Sequence, residues 1–198
     1  MEIRRDAYLN EFLRKRGNGL VKVITGLRRC GKSYLLRKMF KEKLLSMGIA
    51  NSSIVEVAFD ERDNQHFRNP DTFYEFAKSK LAQEGQCIFL LDEIQFLEDF
   101  ESVLNGLLGM GAEIYVSGSN ARFLSRDVIT EFRGRGDEIH VFPLSFEEYW
   151  HHFHDDKYQR FQEYMLYGGL PPVVLAATSS DKSQCWTVCM TKPICVTL

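Results

Sequence analysis

Short unbroken apolar runs alternate along this chain with segments whose apolar residues recur every three or four positions. The runs are residues 20–25 (LVKVIT), 54–59 (IVEVAF), 87–91 (CIFLL), 113–117 (EIYVS) and 139–142 (IHVF). Such runs suit strands buried on both faces, as in a parallel sheet. Between them, helical periodicity places Ile3, Leu9, Phe12 and Leu13 on one face of a helix over 3–15, which Gly17 stops. A second helix over 34–48 follows the first run. A third opens at Asn69-Pro70, with Phe73, Phe76, Ala77 and Leu81 as its stripe. Phe100, Val103, Leu104, Leu107 and Leu108 mark a fourth, ended by the glycines at 109 and 111. Strands alternating with amphipathic helices predict an α/β domain of three layers, a five-stranded parallel sheet flanked by helices.

After Pro143-Leu144 the pattern becomes purely helical. Ser145 and Glu148 have capping-box spacing, and helices are predicted over 146–152 and 157–167, the latter with Tyr158, Phe161, Tyr164 and Met165 on one side. Gly168-Gly169 and then Pro171-Pro172 end this run. The chain thus divides into a core over 1–144, a small C-terminal helical appendage over 145–177 and an atypical tail over 178–198. Residues 183–198 (SQCWTVCMTKPICVTL) show three cysteines and no clear period, and that shift in composition predicts a disordered or non-native tail.

The 44% hydrophobic and 26% charged composition is that of an ordinary globular domain, and the net charge of −2 gives no general reason to bind nucleic acid or an anionic membrane. The cluster Arg4, Arg5, Arg14, Lys15 and Arg16 reads as a solvated helix face. No apolar run approaches the ~20 residues of a bilayer span, and the N-terminus lacks the apolar stretch of a signal peptide. The odd count of five cysteines does not fit a disulfide framework. Together these predict a cytoplasmic protein without membrane contact.

The chemistry begins at residues 26–33 (GLRRCGKS). Gly26, Leu27, Arg28, Arg29, Cys30, Gly31, Lys32 and Ser33 have the spacing G-x-x-x-x-G-K-[ST] between a predicted strand and a helix that starts with Tyr34. In that setting backbone N–H groups converge on phosphate oxygens, aided by the helix N-terminus. Lys32 reaches the β- and γ-phosphates and Ser33 ligates Mg²⁺. One of Arg28 and Arg29 is expected to face phosphate. A thiol beside a helix N-terminus is expected to have a lowered pKa, so Cys30 reads as a reactive thiol that bound nucleotide shields.

Phosphate binding alone is not hydrolysis. The run 88–91 ends in Asp92-Glu93: Asp92 is placed to hold Mg²⁺ and Glu93 to act as general base on water. Beyond the run 113–117, Ser119 and Asn120 are candidates to sense the γ-phosphate or the attacking water, against a plain turn and helix cap. Arg135, ahead of Arg133, is a candidate arginine finger in a glycine-framed loop, acting in cis or on a neighbouring subunit. Asp60-Glu61 reads as a solvated loop.

The loop 26–33, Leu91-Asp92-Glu93-Ile94-Gln95, Ser117-Gly118-Ser119-Asn120-Ala121, Gly134-Arg135, Phe142-Pro143-Leu144-Ser145-Phe146 and Tyr167-Gly168-Gly169-Leu170-Pro171 occur in that order. The chain resembles the prokaryotic AAA-type P-loop ATPases that carry an Arg-Arg pair in the P-loop and end in a domain of unknown function. The resemblance covers roughly residues 1–175 and implies the additional-strand P-loop fold, in which the strand 113–117 lies between the Walker A and Walker B strands. It also implies ATP and Mg²⁺ as ligands, Lys32 and Ser33 on phosphate and Mg²⁺, Asp92 as the Walker B acid and Glu93 as hydrolytic base. Family members run to about twice this length, with a C-terminal part that looks nuclease-like or DNA-related. Nucleic acid therefore enters the reading only through that further part.

The resulting expectation is a Mg²⁺-dependent ATPase, slow in isolation, that couples turnover to an unknown conformational output in an unknown protein partner or homo-oligomer. The alternative is an ATP-regulated binding module with little turnover. A kinase fits less well, because Glu93 activates the water a kinase must exclude. A GTPase fits less well again, because no Asn/Thr-Lys-x-Asp motif occurs.

Overall fold

The computed structural model describes residues 3–118, 136–153 and 155–191. Five strands form one parallel sheet: β1 (Val21–Thr25), β2 (Ile54–Ala58), β3 (Ile88–Asp92), β4 (Glu113–Ser117) and β5 (Gly136–His140). Their order is β2-β3-β4-β1-β5, so β4 separates β1 from β3, as the family resemblance implied. The register pairs Val23 with Val116, Ile24 with Ile139 and Leu91 with Val57.

Each face of the sheet carries its own core. On one face Val21, Val23, Phe89 and Leu91 pack with Phe73 and Ala77 of helix Pro70–Glu84 and with Leu104 and Leu107 of helix Phe100–Gly109. On the other, Ile24, Leu90 and Tyr115 meet Phe12 of helix Asp6–Arg14 and Leu36 and Phe40 of the helix after the first strand. Phe12, Phe40 and Tyr115 form an aromatic trio with centroids 4.7–5.9 Å apart. All five residues of β1 and of β3 are buried, which is why their sequences read as unbroken runs rather than alternations. The helix after β1 runs from Lys32 to Ser46 and carries a π-helical stretch over Leu35–Phe40; such bulges are frequent at functional sites.

Local signals account for most boundaries. Asn69 caps helix Pro70–Glu84 by accepting from the Thr72 N–H at 3.0 Å. The capping box at Ser145 forms: Glu148 N–H donates to Ser145 Oγ at 3.2 Å, and Ser145 N–H donates to Glu148 Oε2 at 2.8 Å. It opens helix Phe146–Phe153, followed by helices Lys157–Tyr167 and Pro171–Val174. Gly169 is required where the appendage closes on the core, because a Cβ there would lie 2.0 Å from the Leu144 carbonyl oxygen.

Two expectations need correction. The last strand is Gly136–His140, not 139–142. It is an edge strand with a polar start, and its Asp137 is held by Lys15 and Asn18, so an apolar run does not mark it. Within the tail, Ser179–Thr191 is a helix rather than disordered chain. Thr178 and Asp181 form a second capping box at its start, and Lys182, buried, pairs with Glu163. No helix among the described residues is long and apolar enough to cross a membrane.

Candidate functional site

Strands β1, β3 and β4 end side by side, and their C-terminal ends gather the candidate residues, where ligands of open α/β sheets bind. The loop 26–33 leaves β1 through Gly26, whose φ is +137° and whose absent Cβ would stand 2.1 Å from the Val141 carbonyl oxygen. Only glycine allows the loop to turn this closely over the segment after β5. Lys32 is buried, and its Nζ donates to the carbonyls of Gly26 at 2.9 Å and Leu27 at 3.0 Å. Its ammonium is thereby held inside the loop's own curve. The Ser33 hydroxyl lies close enough to the Asp92 carboxylate to favour its charged form, which brings the loop to the end of β3.

Asp92 is almost fully buried. Burial pushes its carboxyl up from the ordinary range, opposed by hydrogen bonds from Ser117 and Ser33. Ser117 Oγ donates to Asp92 Oδ1 and accepts from the Glu93 N–H at 3.4 Å. Glu93 follows in the left-handed region with φ of 52°, and its carboxylate takes a hydrogen bond from the Gln95 amide. Arg29 in the loop has φ of 66°. Non-glycine residues held in this region carry strain and cluster at functional sites. Gln95 Oε1 is buried without a protein partner, an acceptor facing no donor beside Glu93.

Lys32, Ser33, Asp92 and Glu93 are therefore brought together. Leu27, Arg28 and Tyr34 are exposed, and Lys38 lies over the Tyr34 ring at 5.7 Å. Arg29 is half-buried and donates to Cys189 Sγ at 3.0 Å, so the helix Ser179–Thr191 reaches the loop. Cys30 departs from expectation: it is fully buried, and burial raises rather than lowers its thiol pKa despite nearby Lys32 and Arg5. Glu61 accepts from Arg37 at 2.7 Å. Ser119, Asn120, Arg133 and Arg135 lie outside the described residues. Two residues escaped the sequence reading, Ser117 and Gln95. The signal for Ser117 was available: once β4 lies beside β3, the pairing of Leu91 with Val116 puts Ser117 next to Asp92.

Ser33 and Asp92 offer two hard oxygen donors, one anionic, near each other at the ends of the loop and of β3. That fits Mg²⁺, which is bound through one or two protein oxygens plus phosphates and water. No cluster of three or more His, Cys, Asp or Glu among the described residues suits a metal that needs an all-protein cage.

A family model described as an AAA domain matches residues 18–150. An uncharacterised protein of Haemophilus influenzae is 35% identical over 181 residues, covering 88% of this chain and 45% of its own length. One of Methanocaldococcus jannaschii is 25% identical, covering 83% of this chain and 38% of its own length. The chain thus spans less than half the length of these curated relatives. Among solved structures, the Aeropyrum pernix ORC1 protein in complex with DNA superposes with a TM-score of 0.53 at 15% identity, over 82% of this chain and 50% of that one. The ADP form of the Aeropyrum pernix ORC2 protein gives 0.51 at 16% identity, over 82% and 53%. At these identities the likeness is one of fold: the five-stranded parallel sheet flanked by helices is that of the P-loop NTPase fold.

Proposed function

This chain belongs to the AAA domain family, and we propose that it binds ATP with Mg²⁺ at the loop 26–33 and hydrolyses the β–γ phosphoanhydride, slowly in isolation. The observation that carries the reading is the proximity of Ser33, in the loop, to Asp92, one residue before a strained Glu93. It joins a phosphate-loop hydroxyl to a carboxylate on a separate strand, a pairing that a purely structural turn does not require.

The residues divide the work as follows. The backbone N–H groups of the loop and the helix that begins at Lys32 receive the phosphates. Lys32 exchanges its two loop carbonyls for β- and γ-phosphate oxygens. Ser33 and Asp92 would hold Mg²⁺, which would supply positive charge against the negative charge that develops during transfer. Ser117 holds the Asp92 carboxylate in place by its hydrogen bond. Glu93 accepts the proton of the attacking water, and Gln95 fixes its carboxylate while its spare carbonyl offers that water an acceptor. Ser119 or Asn120 reads the γ-phosphate, and Arg135 stabilises the transition state from its own or a neighbouring chain. The output is a conformational change passed to a protein partner or to the further half present in the longer relatives.

The hydrogen bond from Gln95 to Glu93 supports a second reading, an ATP-gated binding module in which the base is held back and turnover is minor. Phosphate release with Mg·ATP separates the two. Under the first, Glu93→Gln lowers kcat by about 100-fold or more and leaves nucleotide affinity near wild type. Wild-type chain that binds ATP without releasing phosphate favours the second. Lys32→Ala should abolish binding under both, and unchanged affinity in that variant would overturn the site.

A further inference from the structure

One buried arginine outside this site touches everything around it. Arg5 stands immediately before helix Asp6–Arg14, in a cluster that the sequence reads as a solvated face, yet it is 4% exposed. Its guanidinium makes contacts in three directions. Nη1 donates to the Cys30 carbonyl, inside the phosphate loop, at 3.1 Å. Nη2 donates at 2.8 Å to the Phe142 carbonyl, just beyond β5. Nε and Nη2 grip the Glu148 carboxylate at 3.0 and 3.4 Å. The plane stacks on Tyr8 at 4.4 Å, and the Tyr8 hydroxyl in turn accepts from the Phe142 N–H at 3.0 Å. Glu148 is also the capping-box acid of helix Phe146–Phe153, so the carboxylate that Arg5 holds is the one that starts the appendage.

We infer that Arg5 is a positioning residue that couples the phosphate loop to the helical appendage, so that nucleotide bound at residues 26–33 orders helix Phe146–Phe153. The inference rests on the nucleotide site proposed above. Its physical basis is the planar, five-donor fork of arginine, which reaches several carbonyls and a carboxylate at once, as a lysine point charge does not. The Cys30 carbonyl belongs to the peptide unit whose other end is the Gly31 N–H, one of the groups that must face phosphate. A bond to that carbonyl fixes the orientation of the peptide plane. When phosphates engage its N–H, the peptide polarises and its carbonyl becomes a better acceptor for Arg5. Arg5 then holds Glu148, and with it the appendage, more firmly. Pro171 stands beside Arg5 at the same glycine, since a Cβ on Gly31 would meet its ring at 3.6 Å and Arg5 Nη1 at 3.9 Å. The segment after helix Lys157–Tyr167 thus approaches the loop where Arg5 does.

The test measures nucleotide affinity and amide hydrogen exchange over 146–153, with and without Mg·ATP, in the full chain and in Arg5→Gln, Arg5→Lys and Glu148→Gln. Wild type should show slower exchange in that helix on binding ATP. Arg5→Gln should weaken affinity by about 5-fold or more, in the range typical of coupled sites, and remove the ATP-dependent slowing. Glu148→Gln, which does not touch the loop, should keep affinity within a few-fold while still losing the slowing. That split distinguishes coupling from general destabilisation, which would move both readouts together. Arg5→Lys should resemble Arg5→Gln. Full ATP-dependent slowing in either Arg5 variant, or in Glu148→Gln, overturns the inference and leaves the proposed function standing. A wild-type chain that binds no nucleotide overturns both.

Discussion

The sheet and the appendage are held together by different forces. The sheet buries continuous apolar runs on both faces, and Phe73, Phe89, Leu90, Leu91 and Leu104 are all fully enclosed. The appendage buries a small cluster, Ile3, Leu144, Tyr149 and Val174, and its helix Lys157–Tyr167 has no fully buried residue. In place of area it uses directional polar bonds. Glu163 takes hydrogen bonds from Lys182, from the Tyr149 hydroxyl at 2.6 Å and from Arg160 at 2.6 Å. Area-driven burial is additive and insensitive to small displacements, whereas such bonds are lost over about an ångström. From that difference the sheet is expected to act as a rigid seat for the loop 26–33 and the appendage to open as its own cooperative unit.

The contrast is broken most directly by truncating one side chain in each region. Phe73→Ala leaves a cavity inside the sheet's core and should cost about 3–5 kcal/mol, unfolding sheet and appendage together. Tyr149→Phe removes one hydrogen bond to Glu163 and should cost about 1 kcal/mol, seen as faster exchange over 146–167 with the strands unaffected. Equal loss of protection in the strands for Tyr149→Phe would show that the two regions unfold as one.

Acid should separate them next. Burial alone would push the Glu163 carboxyl up, but hydrogen bonds from Lys182, Tyr149 and Arg160 outweigh it and hold the group down at about 2. A carboxyl lowered on folding contributes stability that is fully present above its unfolded value, about 4.3, and is lost as pH falls through its folded value. Lowering pH from about 5 toward 2 should therefore loosen the appendage. In Glu163→Gln that pH dependence should be flattened, because no ionisable group remains at the centre of the network. Circular dichroism in the aromatic region, where Tyr149 and Tyr164 report, provides the measurement. An unchanged acid profile in Glu163→Gln would remove Glu163 as the cause.

The proposed site places a buried charge at the edge of the sheet's core. Asp92 lies buried at the end of β3 with its charge disfavoured by desolvation and only partly compensated by two serines. Asp92→Asn keeps the shape and removes the buried charge. In the absence of nucleotide it should leave the melting temperature unchanged or raise it by a few degrees, while Mg²⁺-dependent ATP affinity falls at least ~10-fold. A marked fall in melting temperature without nucleotide would mean that the carboxylate is a structural ligand of Ser33 and Ser117 rather than a held reserve for the cation.

Sheet and site were legible in the sequence to different depths. Strands buried on both faces declare themselves as apolar runs, so β1 to β4 are found almost to the residue, whereas β5 is an edge strand whose Gly136-Asp137-Glu138 start carries no such mark. That Lys32, Ser33, Asp92 and Glu93 come together at the strand ends was legible because a phosphate-loop motif has a fixed spacing and a buried strand must end where its acids begin. Ser117 was not, because its closeness to Asp92 depends on which strands are neighbours, a non-local fact. Arg5 was hidden for the same reason: an arginine in a basic cluster gives no local sign that its three partners come from positions 30, 142 and 148. The helix Ser179–Thr191 gave little sign of itself although Thr178 and Asp181 have capping-box spacing, because its own residues, Cys185 and Cys189 among them, show no amphipathic period.

A last probe compares one side-chain type in the core and on the helix Ser179–Thr191, which follows the appendage. Cys30 and Cys87 are buried in the core, and burial raises both thiol pKa values. Cys185 and Cys189 lie partly exposed on the helix Ser179–Thr191, with Arg29 donating to Cys189. A thiol reacts as thiolate and only when reached, so enclosure slows labelling twice over, by removing access and by holding the proton. Alkylation at pH 8 followed by peptide mapping should therefore modify Cys189 at least ~10-fold faster than Cys30 in the folded chain, and the rates should converge in denaturant. Mg·ATP should not change the Cys30 rate further, because that thiol faces the core and not the phosphates; nucleotide bound at the loop should instead slow Cys189 through Arg29. Rapid labelling of Cys30 in the folded chain would mean that the loop 26–33 opens as readily as the helix Ser179–Thr191, and the loop would then have no rigid seat in the sheet's core.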